Sequence, residues 1–195
     1  MLSVFYAILP DAKIEKTGNI ERNTEICSTL NEKVKKQKYF VWQLLLKGLE
    51  TLNYNLQEIK FFKSENGRWS SNAVDFSLSH SENIVAVAIS NMPVGVDVEK
   101  FKELNLKLAN KILTESEMQE FLNLEKNEQN VYLIKKWTQK ESIFKKSKQT
   151  VCRYKQLTEN SENLTTTKLE LENETYFISV CHQSKSSPKF LKLEL

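Results

Sequence analysis

Asp97 and Glu99 alternate with valine in the segment Val94-Gly95-Val96-Asp97-Val98-Glu99. Side chains on a strand repeat every two residues, so both carboxylates share one face while Val96 and Val98 share the other. Two acids on one face repel unless a cation lies between them. An oxygen-only pair suits a hard ion such as Mg²⁺, completed by water and phosphate oxygens. A solvated acidic strand end would read the same way, so this segment alone leaves both readings open. A second group lies in Trp137-Thr138-Gln139-Lys140-Glu141-Ser142-Ile143-Phe144-Lys145. Spacings of four put Trp137, Glu141 and Lys145 on one helix face, rising about 6 Å between successive members. An ordinary surface Glu–Lys pair, worth a few tenths of a kcal/mol, has this spacing too. The third group is Phe76-Ser77-Leu78-Ser79-His80-Ser81. At a strand end, Ser79 and His80 can donate to phosphate oxygens, although a lone histidine also serves purely structural ends. A Ser79–His80 protease pair is excluded, because neighbours on a strand face opposite ways and no nucleophile elbow is present.

These groups need elements to position them. Val74 to Leu78, Ile84 to Ser90 and Val94 to Val98 read as three short strands in quick succession. Helical patterns follow at about 104–113, 115–124 and 129–147, and Thr114-Glu115-Ser116-Glu117 supplies an N-cap and capping-box acid for the second. Upstream, the apolar run from Met1 to Leu9 reads as a strand entering a core and stops at Pro10. Polar residues 11 to 28 come next, and a long helix is expected from about Ser28 to Thr51. Its apolar stripe is Val34, Phe40, Val41, Leu44, Leu45, Leu49 and Leu52, and Lys33, Lys35, Lys36, Lys38 and Lys47 lie opposite. Short strands are expected near 59–62, 168–171, 176–182 and 190–193, with a turn at Glu65 to Trp69. Strands and helices mix without regular βαβ alternation, so the expected class is α+β.

At 195 residues, 40% hydrophobic and 27% charged, the chain suits one sizeable domain or two small lobes sharing a core. Its net charge of +3 does not by itself mark a nucleic-acid binder. Cys27, Cys152 and Cys181 are far apart with no CxxC pair, which argues against a disulfide framework or zinc site and for a reducing cytoplasm. The opening run lacks the basic flank and cleavage site of a signal peptide, and no later apolar run approaches the roughly 20 residues of a membrane span. No nucleic-acid or membrane partner is expected.

Taken in order, Phe-Ser-Leu-Ser-His-Ser, Val-Gly-Val-Asp-Val-Glu and Trp-Thr-Gln-Lys-Glu-Ser-Ile-Phe-Lys resemble the signature of the 4'-phosphopantetheinyl transferase superfamily, Sfp-type branch. The resemblance covers residues 76 to 145, roughly a third of the chain. It implies a pseudo-dimer of two similar α/β lobes, about 1–92 and 93–195, with the active site at their interface, working as a monomer. It further implies transfer of phosphopantetheine from coenzyme A to a serine of an apo acyl, peptidyl or polyketide carrier protein, releasing adenosine 3',5'-bisphosphate. Asp97, Glu99 and Glu141 would hold Mg²⁺ or Mn²⁺, with Glu141 and Lys145 catalytic. Ser79, His80, Lys145, Arg68 and Lys38 would contact coenzyme A, Arg68 standing where members often have Gly-Lys-Pro. A basic rim of Lys145, Lys146, Lys148, Arg153 and Lys155 could steer an acidic carrier. The rival chemistries for the same residues are a Mg²⁺-dependent nuclease and a non-catalytic nucleic-acid-binding module.

Overall fold

The structure, a computed structural model, describes residues 1–103, 106–157 and 163–195. Its elements in chain order are β1 (Leu2–Ile8), α1 (Ile20–Cys27), α2 (Glu32–Thr51), β2 (Phe61–Lys63), β3 (Trp69–Ser71), β4 (Asp75–Ser81), β5 (Ile84–Ser90) and β6 (Val94–Lys100). They continue with α3 (Leu106–Ile112), α4 (Glu115–Leu122), α5 (Lys126–Ser147), β7 (Asn163–Leu171), β8 (Glu174–His182) and β9 (Lys189–Lys192). This is the α+β mixture read from the sequence.

One sheet has the order β4-β5-β1-β9 and a second β6-β8-β7, with β2 and β3 forming a small separate hairpin. β5 reads as an unbroken apolar run because both its faces are covered. Val85, Val87 and Ile89 pack with α2, while Ile84, Ala86 and Ala88 meet Val94, Val96 and Val98 of β6 and Ile178 and Val180 of β8. The two sheets follow the same path. A strand leads to a long helix and then to a hairpin whose second strand returns antiparallel to the first, as β1-α2-β4-β5 in one and β6-α5-β7-β8 in the other. β9 departs from this division, because it leaves the second half of the chain to pair in parallel with β1, so a cut at residue 92 does not separate the two sheets.

The sheets meet along β4 and β6, which run parallel and are joined by side chains in place of a backbone ladder. Asp75 Oδ2 accepts the Val94 N–H at 2.8 Å, Ser77 Oγ that of Val96 at 3.0 Å, Ser79 Oγ that of Val98 at 3.2 Å and Ser81 Oγ that of Lys100 at 3.1 Å. Buried amides require partners, and short hydroxyls at every second residue supply them.

Several boundaries differ from expectation: α5 begins at Lys126 rather than about 129, β7 at Asn163 rather than near 168, and β3 begins at Trp69, where a turn was expected. The long helix starts at Glu32, where Asn31 caps it, and residues 20–27 form a separate helix capped by Asn19. That helix is only eight residues long and polar on average, with Ile26 buried and Ile20 85% exposed, so too few apolar positions were present to mark it. The Thr114–Glu117 capping box forms as read, while the expected start of α3, residue 104, falls outside the described residues. Among the described residues no helix is long and apolar enough to cross a membrane.

Candidate active site

β6 turns Val94, Val96 and Val98, all fully buried, into the core between the sheets and carries Asp97 and Glu99 on the other face. On that side β6 and α5 meet main chain to main chain at Gly95. A Cβ built there would lie 2.0 Å from the Ser142 carbonyl oxygen and 2.5 Å from the Lys146 nitrogen, so no side chain fits. The close approach lets α5 reach the carboxylates. Lys145 Nζ donates to Asp97 Oδ1 at 2.7 Å and to Ser79 Oγ at 3.0 Å, and the Ser79 hydroxyl donates to the same Oδ1 at 2.8 Å. Trp137 Nε1 donates to Glu99 Oε1 at 3.1 Å and Ser81 Oγ to Glu99 Oε2 at 2.8 Å. Tyr154 donates its hydroxyl to Glu141 Oε1 at 2.5 Å while its ring packs on Trp137.

Asp97 is 4% exposed. Burial raises its pKa, the Lys145 ammonium opposes this, and Glu99 and Glu141 add to the rise, leaving it at about 6. Its Oδ2 is buried without a hydrogen-bond partner. An orphaned carboxylate oxygen in an oxygen-only set of donors fits a hard divalent cation, because such an atom costs free energy unless something positive meets it. Among the described residues no three acids or histidines gather closely enough to share an ion. Asp97, Glu99 and Glu141 therefore fit a cation by donor chemistry and by that free oxygen, without converging on one point.

The remaining expected contacts separate into two places. His80 lies on the face of β4 opposite Ser79, and burial, then Lys145, Arg22 and Lys38, lower its pKa to about 4, so its imidazole is neutral. Lys38 donates to Thr29 Oγ1 at 3.1 Å and lies 3.4 Å from Glu25. Glu25 is the hub of a cluster that the polar stretch before α2 did not suggest. It accepts from Trp69 Nε1 at 2.7 Å and Arg22 at 3.1 Å, with Lys63 at 3.3 Å. Burial would raise the Glu25 pKa, but the Trp69 N–H, Arg22 and Lys63 outweigh it and hold the group at about 2. An Arg–Glu pair spaced by three was the one available signal, and such pairs are common on helix surfaces.

Arg68 sits elsewhere, 16% exposed. Its guanidinium donates to the carbonyls of Lys145, Phe76 (2.5 Å) and Val94 (3.0 Å), and to Asp75 at 3.4 Å, clamping α5, β4 and β6 together. Beside it a cleft of about 450 Å³ is lined by Gly67, Arg68, Trp69, Phe76, Phe144 and Lys145. Lys140, the neighbour of Glu141, is fully buried and donates to the Ile112 carbonyl at 2.8 Å and to Glu117 at 2.6 Å. It fastens α5 to α3 and to the start of α4. The expected basic rim is incomplete, since Lys145 turns to Asp97 and Lys146 is 8% exposed, leaving Lys148, Arg153 and Lys155 on the surface.

Comparison with known proteins shows the family of the chain. The family model described as 4'-phosphopantetheinyl transferase superfamily matches residues 93–191, just over half of the chain. The 4'-phosphopantetheinyl transferase gsp of Aneurinibacillus migulanus is 35% identical over 50% of this chain and 41% of its own length. Two Bacillus subtilis proteins, the transferases ffp and Sfp, are 31% and 28% identical, each over 62% of this chain and 56% of their own. The chain thus spans about half the length of the curated relatives it matches. With the family pattern lying across β6, α5, β7, β8 and β9, the chain belongs to the 4'-phosphopantetheinyl transferase superfamily, on the branch that includes Sfp.

Proposed function

We propose that the chain transfers the 4'-phosphopantetheine group of coenzyme A to a serine of an apo carrier protein and releases adenosine 3',5'-bisphosphate. The observation that carries this reading is the buried Asp97 carboxylate, paired with Lys145 through one oxygen and unpartnered at the other, with Glu99 and Glu141 near enough to raise its pKa. Asp97, Glu99 and Glu141 would hold Mg²⁺ or Mn²⁺, which supplies charge neutralisation and orientation at the pyrophosphate. Lys145 neutralises phosphate charge from the α5 side, and neutral His80 offers a hydrogen bond without adding a cation. Arg68 holds α5 against β4 beside the cleft that would admit the nucleotide, and Lys38 brings positive charge near His80.

The carrier serine forms an oxygen–phosphorus bond to the phosphopantetheine phosphorus as the bond from that phosphorus to the nucleotide oxygen breaks. Glu141 takes the hydroxyl proton. Burial and the Glu141 carboxylate push the Tyr154 hydroxyl well above its ordinary pKa range, so it stays a donor to Oε1 and leaves Oε2 to receive that proton. The two lobes are read as a pseudo-dimer, about 1–92 and 93–195 with β9 crossing back, and the unit works as a monomer. The repeated strand–helix–hairpin path supports this division.

Intact-mass spectrometry of an apo acyl carrier protein, incubated with the chain, coenzyme A and Mg²⁺, tests the reading. A gain of one phosphopantetheine group, lost with EDTA or with Asp97→Ala, is the expected result. No gain on several unrelated carriers, from folded protein that binds coenzyme A, refutes it.

A further inference from the structure

The hydroxyls that join β4 to β6 do a second job, and it distinguishes them from one another. Each accepts a β6 amide, which fixes the oxygen and leaves one proton to place. Ser79 accepts from Val98 and gives its proton to Asp97; Ser81 accepts from Lys100 and gives its proton to Glu99. Ser77 accepts from Val96 and stands level with Gly95, which offers no carboxylate. Glu99 is held on both oxygens, by Ser81 from the first sheet and by the Trp137 N–H from α5. Two donors on separate elements fix the plane of the carboxylate as well as its position, which one donor cannot do.

We infer that Ser81 is a positioning residue for Glu99, aiming that carboxylate at the cation through a hydroxyl locked by the Lys100 amide, with Trp137 as the opposing arm. The inference rests on the transferase reading and its cation. Groups that orient metal ligands typically contribute about 10–100-fold to metal affinity or activity.

Mn²⁺ binding, followed by electron paramagnetic resonance with coenzyme A present, tests it without turnover. Ser81→Ala is expected to weaken Mn²⁺ binding by about 10–100-fold, and Ser81→Thr, which keeps the hydroxyl, to restore it to within a few-fold of wild type. Ser77→Ala removes an equivalent strand contact and should lower the melting temperature like Ser81→Ala while leaving the Mn²⁺ titration unchanged. Should Ser81→Ala not fold, Trp137→Phe carries the test, with a comparable loss of Mn²⁺ affinity expected. Superimposable titrations for wild type and Ser81→Ala, or an equal loss in Ser77→Ala, overturn the inference while wild-type binding leaves the cation reading standing. A wild-type chain that binds no Mn²⁺ overturns both.

Discussion

Replacing Glu25 by glutamine removes the one negative charge at which Arg22, Lys38 and Lys63 meet. The gap between the ordinary 4.5 and about 2, at about 1.4 kcal/mol per pH unit, sets a ceiling of about 3 kcal/mol on what the charged form contributes. The Glu25 side chain is 23% exposed and water screens part of the attraction, which brings the expected loss at pH 7 to about 1–2 kcal/mol. Because the folded-state pKa lies below the unfolded one, this stability is fully present above pH 4.5 and fades as pH falls toward 2. Urea unfolding of wild type and Glu25→Gln across this window should give a difference that is largest at neutral pH and shrinks steadily below pH 4.5. A difference that stays constant with pH would refute the electrostatic argument and point to lost shape alone.

Gly95→Ala should force α5 away from β6 by about 1 Å or more, costing about 3 kcal/mol and lowering transfer about 100-fold; stable protein with wild-type kinetics would contradict this. Lys140→Met leaves Glu117 short of its closest cation and should destabilise the chain by about 3 kcal/mol in urea, with Lys140→Met/Glu117→Leu recovering part of the loss. His80 should keep constant NMR ring-proton shifts from pH 8 to about pH 5 and titrate near 4, and a midpoint near the ordinary 6.5 would show that its surroundings are wetter than described. Reversing Lys148, Arg153 and Lys155 to glutamate should slow carrier association mainly at low salt, which transfer rates at two ionic strengths would reveal.

Strand parity was the most legible part of the site. Alternating Val and acid in residues 94–99 correctly separates Val96 and Val98, which reach the core, from Asp97 and Glu99, which face α5. Spacings of four on α5 likewise put Trp137 and Lys145 within reach of β6. What stayed hidden depends on contacts between distant segments. The Glu25 hub joins α1 to Trp69 and Lys63, residues about 40 positions away, and a polar octapeptide carries no sign of such partners. Lys140 resembles any surface lysine in a helical pattern, yet burial and Glu117 make it a strut. Ser79 was read for its reach toward phosphate, and the contacts of its hydroxyl with Asp97, the Val98 amide and Lys145 were not legible in the sequence.

The position of β9 shapes how the chain acquires its structure. β1 is made long before its parallel partner β9, so Ser3 waits for Lys189. Until then one edge of the first sheet shows unpaired amides and carbonyls, the kind of edge on which strands from other molecules dock. Closing such a long loop is entropically slow and comes after local helices and hairpins. Folding during synthesis therefore passes through a stage in which α2 already covers one face of β1 and β5 while that edge stays open, and this stage is where aggregation competes most strongly with folding.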